Sequence, residues 1–292
     1  MLKYQNVEIL KYHTPVLVGK LKELLNLKKG DMAIDATLDG GGHAAMLLQL
    51  VGKTGKVLGI EQDAEILKTL KSPKNLIIAE GNFGDIKKLA DSHNFKNPQS
   101  ILYDLGMSTW HLKESLRGFS FEKKTEPLDM RFSKNSRISA AEILNSYKEE
   151  ELAEIFRSYG ELKGARNLAR RIHEYRQKKR IVAVEDFLKA LRGLPPKILA
   201  RIFQAIRIFV NDEMKSLKLG LAGGFEILAP SGRIAVISYH SLEDRITKRF
   251  FKERGELGEA KIITKKPTNP SSEEIFKNKS ARSAKLRVLE KI

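Results

Sequence analysis

Short apolar runs that end in acidic or small residues recur along the first third of the chain. MAIDAT begins at Met32, KVLGIE covers 56–61, NLIIAEGNF covers 75–83 and SILYDLG covers 100–106. Between these runs, apolar positions recur at the three- and four-residue spacing of helices, so predicted strands and helices alternate. This alternation is typical of βαβ units, and it predicts an α/β fold with a parallel sheet.

The alternation stops after Ser108 and returns only near the C-terminus. Residues 109–135 have no clean periodicity and predict a long ordered loop, and helical patterns without strands follow it. The run GRIAVISYHS at 232–241 resumes the strand pattern, which AKIIT and AKLRVLEKI complete. We therefore predict one discontinuous sheet domain that carries a helical insert. The predicted sheet domain comprises 1–110 and 214–292, and the predicted insert comprises 111–213.

The stretch DATLDGGGH at 35–43 joins the first predicted strand to the next helix and is the candidate ligand turn. Three consecutive glycines, Gly40, Gly41 and Gly42, let a ligand approach the backbone, and a helix N-terminus offers free N–H groups. A phosphate loop of the GxxxxGK[ST] type is absent, since Leu47 stands where its first glycine belongs, and GxGxxG is absent too. A pyrophosphate ligand is thus disfavoured, and a turn without any ligand is the alternative.

Carboxylates end the second and fourth predicted strands. Glu61 follows the glycines at about the spacing at which an acidic residue accepts hydrogen bonds from ribose hydroxyls, although a surface carboxylate is the alternative. Asp104 ends its strand at the same edge of the sheet. Acidic groups at Asp35, Asp39 and Glu61 would suit a nucleoside that carries positive charge. S-adenosylmethionine, with its sulfonium and ammonium groups, matches this description.

The chain contains no cysteine among its 292 residues, and this absence restricts its chemistry. It excludes disulfides, thiolate zinc sites, iron–sulfur clusters and a cysteine nucleophile. Methylation at C5 of a pyrimidine, radical methylation and zinc-dependent base deamination ordinarily need one of these groups. Direct transfer of a methyl group to nitrogen or oxygen is compatible with the composition, and we predict no metal site.

Basic residues exceed acidic ones by 53 to 36, which gives a formal net charge of +17 and indicates a polyanionic partner such as nucleic acid. Residues 161–211 alone hold 13 Lys and Arg against 4 Asp and Glu. Within them, helical spacing puts Leu168, Ile172 and Tyr175 on one face and three arginines elsewhere. These arginines are Arg166, Arg170 and Arg171. A basic surface that serves only solubility is the alternative.

No apolar run approaches the ~20 residues that a membrane span requires. The N-terminal segment MLKYQNVEILKYH lacks the apolar core of a signal peptide. We therefore expect a cytoplasmic protein without a membrane partner. Both a monomer and a dimer are compatible with the sequence.

Eight ordered blocks of sequence resemble one protein family almost from end to end. They are HTPVL (13–17), DATLDGGGH (35–43), LYDLGMS (102–108), RGFSF (117–121), PLDMRF (127–132), FQAIRIFVNDE (203–213), GRIAVISYHSLEDR (232–245) and ARSAKLRV (281–288). The family is that of the bacterial 16S ribosomal RNA cytosine-N4 methyltransferases, MraW or RsmH. The resemblance implies a Rossmann-like S-adenosylmethionine-dependent methyltransferase sheet with an inserted helical domain that recognises RNA. It also implies N4-methylation of a cytosine in the decoding region of the small subunit, cytosine 1402.

The resemblance also implies which side chains contact S-adenosylmethionine. Carried over by motif, the cofactor-binding residues are Gly41, Gly42, His43, Glu61, Phe83, Asp104 and His111. Three positions depart from the usual family pattern. Asp39 stands where glycine is common, Glu61 replaces aspartate, and His111 replaces the glutamine of a Ser-Ser-Pro-Gln run. For His43 and Phe83, a purely structural role is the alternative.

Asp104 and Ser108 are the candidate catalytic residues. The lone pair of an exocyclic cytosine amine is delocalised into the ring, so hydrogen-bond acceptors must take its N–H bonds and localise that pair. Asp104, with the Ser108 region, is predicted to grip either this amine or the methionine end of the cofactor, with the target base flipped out of its stack. Aromatic side chains that could stack on the base, with core positions as the alternative, are Trp110, Phe119, Phe121 and Tyr239.

Two other functions are compatible with parts of the sequence. A non-catalytic RNA-binding or ribosome assembly factor would keep both the methyltransferase fold and the basic surface. Methylation of a protein or a small molecule would explain the fold but would leave the charge of residues 161–211 without a role. Incorporation of a labelled methyl group into small subunits separates the enzyme from the assembly factor.

Overall fold

The computed structural model describes residues 14–70, 72–134 and 138–292. The N-terminal segment interpreted above, including His13 of the HTPVL block, lies outside the described residues. The chain forms two compact units. We call them the sheet unit, which runs to Ser108 and resumes at Met214, and the helical unit, Thr109–Glu213.

Seven strands in the described residues form a single mixed sheet in the order β3-β2-β1-β4-β5-β7-β6. They are β1 (Met32–Asp35), β2 (Lys56–Glu61), β3 (Leu76–Glu80), β4 (Ser100–Asp104), β5 (Arg233–Ser238), β6 (Ala260–Ile262) and β7 (Lys285–Lys291). The first five strands are parallel to one another, and β7 pairs antiparallel with both β5 and β6. The predicted α/β, Rossmann-like fold is confirmed.

Both faces of the central strands are buried, which explains why their sequences are continuous apolar runs. Every residue of β4 is buried, and successive residues of the strand pack in two different cores. Leu102 packs in one core, whereas Ile101 and Tyr103 pack in the other. Each fully buried aliphatic side chain of this kind contributes about 1.5–3 kcal/mol. Because the first five strands are parallel, their carboxyl ends meet at one edge of the sheet.

Seven helices of the described chain surround the sheet. They are α1 (Val18–Leu24), α2 (Gly42–Val51), α3 (Ala64–Leu67), α4 (Ile86–Ser92), α11 (Glu213–Ile227), α12 (Ser241–Glu256) and α13 (Ser272–Lys277). Sequence pattern predicts a capping box from Ser241 and Asp244 at the start of α12. In the structure the cap is one residue earlier, because Glu243 accepts hydrogen bonds from the backbone N–H groups of Tyr239 and His240.

The helical unit contains α5 (Thr109–Lys113), α6 (Ala140–Ser146), α7 (Glu149–Ser158), α8 (Ala165–Lys178), α9 (Val184–Ala190) and α10 (Pro196–Val210). The prediction of a loop over 109–135 is wrong for its first five residues, because they form helix α5. The pattern from Pro196 to Leu228 also predicts one continuous helix, but the structure has two helices there. The break falls at Asp212, whose φ of 50° is left-handed. No helix in the described ranges has the length and apolar character needed to cross a membrane.

Candidate active site

Three carboxylates end adjacent parallel strands at the same edge of the sheet. Asp35 is the last residue of β1, Glu61 of β2 and Asp104 of β4, and all three side chains are buried. Strand β1 pairs with both β2 and β4, so these strand ends are neighbours. Buried carboxylates are rare unless hydrogen bonds or a ligand compensate their lost hydration. This edge is therefore the candidate active site.

The glycine turn, residues 36–41, crosses this edge between β1 and α2. Backbone hydrogen bonds attach it to both neighbouring strands, since the Ala36 N–H donates to Leu102 and the Leu38 N–H donates to Ile60. Gly41, with a φ of 78°, precedes the first helical residue, Gly42. A side chain at Gly41 would be strained in this left-handed conformation. The first N–H groups of α2 therefore open onto the carboxyl edge.

Glu61 is held by backbone donors on both of its oxygens. Oε2 accepts the Asp39 N–H at 3.0 Å, and Oε1 accepts the Asp63 N–H at 2.8 Å. Burial raises the pKa of the Glu61 carboxyl to about 8, the two backbone hydrogen bonds lower it, and the charges of Asp39 and Asp63 add to the rise. Without a ligand, burial thus favours the protonated form of Glu61. Hydroxyl donors from a ribose would favour the ionised form.

His43 and Asp104 are brought together at the start of α2. The Nε2 atom of His43 lies 2.9 Å from the Val16 carbonyl oxygen, and its Nδ1 atom lies 3.4 Å from Oδ2 of Asp104. A carbonyl oxygen only accepts hydrogen bonds, so Nε2 carries a hydrogen. The ring is therefore oriented by Val16, and its other nitrogen faces the carboxylate.

One oxygen of Asp104 has no hydrogen-bond partner within the described chain. This atom, Oδ1, is buried. The Asp104 N–H donates to the Thr37 hydroxyl at 2.8 Å, which fixes the backbone at the end of β4. Burial, together with the charge of Asp104 and hydrogen bonding to it, raises the pKa of the Tyr239 phenol well above its ordinary value. A buried acceptor oxygen without a donor marks the point where a ligand N–H or O–H would bind.

Ser108 reaches back to the glycine turn. It is buried four residues beyond the end of β4, and its hydroxyl donates a hydrogen bond to the Asp39 carboxylate. Asp39 itself has a φ of 42°, the left-handed conformation that glycine adopts most easily. Sequence spacing gave no signal for this pair, because its members are 69 positions apart. Thr37 and Asp63, whose hydrogen bonds support Asp104 and Glu61, were also missed as site residues.

A match to one family model covers residues 11–292, and that model describes the MraW methylase family. Ribosomal RNA small subunit methyltransferase H of Dictyoglomus turgidum is 40% identical over 298 residues, covering 98% of this chain and 99% of the relative. The chain belongs to the MraW methylase family. The same-named protein of Persephonella marina is 41% identical and covers 96% of this chain and 99% of its own length. The predicted family membership is confirmed.

Similarity to solved structures is more distant. TrmN from Thermus thermophilus is 12% identical, with a TM-score of 0.46, and the match covers 98% of this chain and 51% of that chain. A SAM-dependent O-methyltransferase from Thermotoga maritima is 11% identical, with a TM-score of 0.41 and coverage of 96% and 68%.

As a member of the MraW family the chain is a methyltransferase, and S-adenosylmethionine is its cofactor. The residues at the carboxyl edge fit this group. Glu61 offers carboxyl oxygens to a ribose, the glycine turn allows close approach, and the unpartnered Oδ1 of Asp104 offers an acceptor for an ammonium or an amine. The individual assignments of Gly41, Gly42, His43, Glu61 and Asp104 as cofactor ligands stay predictions.

Two other predicted cofactor residues pack against aromatic rings. Phe83 follows β3 in a short 3-10 helix, is half-buried and meets Tyr103 edge-on, with ring centroids 5.8 Å apart. His111 belongs to the helical unit, where its ring packs against Phe119 and Phe132 at centroid distances of 5.1 and 4.8 Å. Both rings thus have packing partners within their own units, and a contact of either with the cofactor stays a prediction.

Proposed function

We propose that this methyltransferase transfers the methyl group of S-adenosylmethionine to the exocyclic N4 of a cytosine in small-subunit ribosomal RNA, cytosine 1402 of the decoding region. The proposed substrate class follows the name of relatives that match almost the whole chain. One structural observation carries the choice of an amine, namely the buried Oδ1 of Asp104 that has no donor within the described chain. This oxygen can accept a hydrogen bond from an N–H of the target amine.

When bound, S-adenosylmethionine supplies a methyl group on a positively charged sulfur. We propose that Glu61 accepts hydrogen bonds from its ribose and that the backbone at Gly41 and Gly42 lies against its methionine end. His43, which lies beside Asp104, would contact the cofactor as well, and Phe83 would lie against the adenine. His111 is proposed as a further cofactor contact on the family resemblance alone. Positioning of this kind is a large contribution to catalysis of direct transfer reactions.

Asp104 and Ser108 would prepare the target amine. Two acceptors, Oδ1 of Asp104 and Oγ of Ser108, would each take one N–H of a flipped-out cytosine, which localises the nitrogen lone pair. The cofactor held by these residues would supply its methyl group to this nitrogen and would leave as the neutral thioether S-adenosylhomocysteine. The surplus proton leaves the nitrogen for Asp104 and passes from there to water. No cysteine is needed for these steps.

The helical unit is proposed to bind the RNA. In α8, Leu168, Ala169 and Ile172 are buried, whereas Arg166 and Arg170 are exposed. An amphipathic helix of this kind packs through one face and shows positive charge on the other. Exposed guanidinium groups suit phosphate oxygens. A ribosomal RNA substrate would place the reaction in the cytoplasm.

Transfer of a labelled methyl group tests this function. The chain is incubated with tritiated S-adenosylmethionine and small subunits, or naked 16S RNA, that lack the modification. The RNA is then digested to nucleosides and separated. We expect the label in N4-methylcytidine at one site. RNA binding without label would favour the assembly factor instead, and label in protein or in another nucleoside would contradict the proposed substrate.

A further inference from the structure

Asp39 connects three elements of the active site through one residue. Its backbone N–H donates to Glu61 at the end of β2, and its carboxylate accepts the hydroxyl of Ser108 beyond the end of β4. Asp39 itself lies in the glycine turn after β1 and is half-buried. The backbone hydrogen bond would exist with any residue except proline at this position. The contact with Ser108 depends on the carboxylate.

The backbone of the glycine turn gives no reason for an aspartate here. With a φ of 42°, position 39 is in the left-handed region, which glycine enters without strain and a side chain disfavours. Aspartate is among the residues that tolerate this region best. The side chain is thus compatible with the turn without being required by it, and its role must come from what it contacts.

The contact decides the direction of the Ser108 hydroxyl. A hydroxyl has one hydrogen to donate and two lone pairs, and an ionised carboxylate can only accept. Because the hydrogen of Ser108 is directed to Asp39, its oxygen meets any further group through a lone pair. A hydrogen bond to a charged acceptor also polarises the donor oxygen and makes it a stronger acceptor.

We infer that Asp39 is a positioning residue that acts through Ser108: it takes the Ser108 hydrogen, so that Oγ is presented to the target amine as an acceptor. The inference rests on the proposed function, in which Ser108 Oγ and Asp104 Oδ1 each take one N–H of the amine. Two acceptors that serve one target group favour a group with two hydrogens. Uracil has a carbonyl oxygen at the same ring position and would leave both acceptors without a donor.

A double-mutant cycle on Asp39 and Ser108 tests this inference. Asp39→Gly removes the carboxylate and suits the left-handed turn, and Ser108→Ala removes the hydroxyl. We expect each variant to lower the single-turnover methylation rate about tenfold, and the double variant to be no slower than Ser108→Ala alone. Asp39→Asn keeps an acceptor oxygen for the hydroxyl, so we expect it to recover part of the rate.

Cofactor and RNA binding are measured on the same variants. The N–H that Glu61 accepts is a backbone group and persists in every variant. We therefore expect the dissociation constant of S-adenosylhomocysteine and the KM for RNA to stay within about twofold of the wild-type values. A merely structural role of Asp39 would instead weaken cofactor binding or lower the melting temperature while the rate at saturation stays the same.

Matched controls lie at and before the start of β4, the strand that Ser108 follows. Asn94 is exposed and left-handed, with a φ of 53°, in the loop before β4, so Asn94→Gly repeats the backbone change of Asp39→Gly. Ser100 is the buried first residue of β4, so Ser100→Ala repeats the loss of a hydroxyl. Both controls should methylate at the wild-type rate.

Two outcomes would overturn the inference. One is an Asp39→Gly variant whose rate stays within twofold of wild type, and the other is a double variant in which the two losses multiply. Product analysis of the wild-type chain is independent of both. If the wild-type product is not N4-methylcytidine, the proposed function fails, whereas a correct product with an unaffected Asp39→Gly variant rejects the role of Asp39 alone.

Discussion

Charged groups are used in opposite ways at the carboxyl edge of the sheet and on helix α8. At the edge, Glu61 and Asp104 are buried. The Glu61 carboxyl accepts a backbone N–H, and the backbone N–H of Asp104 donates to a hydroxyl. On α8, Arg166 and Arg170 are exposed, and Arg170 donates only to the neighbouring Asn167 side chain at 2.9 Å among the contacts described. Hydrogen bonds hold the carboxylates of the sheet edge at fixed positions. The arginines of α8 instead contribute positive electrostatic potential to the surface.

This difference predicts two experimental signatures. Buried carboxylates lose hydration, so their protonation depends on the surrounding fold, and their effects respond to pH more than to salt. Exposed guanidinium groups keep their charge at every accessible pH, and their binding to phosphates releases counterions and weakens as salt rises. Substitutions in the two regions should therefore separate into pH-dependent and salt-dependent classes.

The largest effect is expected at Asp104. Asp104→Ala removes the acceptor at which the amine is proposed to bind, and we expect the methylation rate at saturating substrate to fall about 10²–10³-fold. Single-turnover reactions that are quenched at timed intervals measure this rate. The dependence of RNA binding on salt should be unchanged, and Asp91→Ala, an exposed residue of α4, serves as the control. Full methyl transfer by Asp104→Ala with normal cofactor affinity would remove Asp104 from the site.

Glu61 is expected to make cofactor binding depend on pH. Its pKa of about 8 lies far above the ordinary value of 4.5 because of burial, and ribose hydroxyls would favour its ionised form. Below pH 8, binding must therefore release a proton. We expect the affinity for S-adenosylhomocysteine to rise about tenfold per pH unit from pH 6 to 8 and to level off above pH 8.

Calorimetry in buffers of different ionisation enthalpy measures the proton release directly. Glu61→Gln should show no release and a flat profile. The same pKa shift acts on folding without cofactor: the protonated form is favoured in the native state, so the free energy of unfolding decreases as pH rises from about 4.5 to 8. Glu61→Gln should remove that slope as well. A wild-type affinity independent of pH would contradict the proposed ribose contact.

Much of the sheet could be predicted because its strands are buried on both faces. KVLGIE coincides with β2 residue for residue, since an apolar run bounded by a charge at each end reports burial directly. Helix α5 was missed because five residues are too few to show a helical period. The break at Asp212 was missed because it is a local left-handed backbone turn between two apolar patterns. His240 caps α12 although histidine is not among the preferred cap residues.

The sequence indicated which residues belong to the active site better than it indicated which hydrogen bonds they form. Glu61 and Asp104 could be singled out because carboxylates at strand ends reach one edge whatever the details of packing. The hydrogen bond between Asp39 and Ser108 depends on the path of two loops that are distant in sequence. The contact of His43 with Val16 likewise depends on how the segment before α1 returns to α2. Spacing carries no information on such contacts.

A smaller effect is expected from the basic face of α8. The double charge reversal Arg166→Glu with Arg170→Glu should weaken RNA binding about tenfold near physiological salt and reduce the slope of log K against log salt by about 2. Lys53→Glu with Lys88→Glu changes the net charge equally on exposed positions of the sheet unit and is the matched control. Equal slopes for both double variants would assign the basic face of α8 to solubility.

The smallest effect separates Arg171 from Arg170, its neighbour on α8. Sequence spacing treats the two alike, but Arg171 is half-buried and its guanidinium donates to the Arg192 carbonyl. Arg171→Gln should therefore lower the free energy of unfolding by about 1 kcal/mol and change the salt slope little. Arg170→Gln should leave the melting temperature unchanged and reduce the slope by about 0.8. Thermal melts and RNA titrations at several salt concentrations compare the two, and a larger slope change for Arg171→Gln would show that burial does not decide which arginines bind RNA.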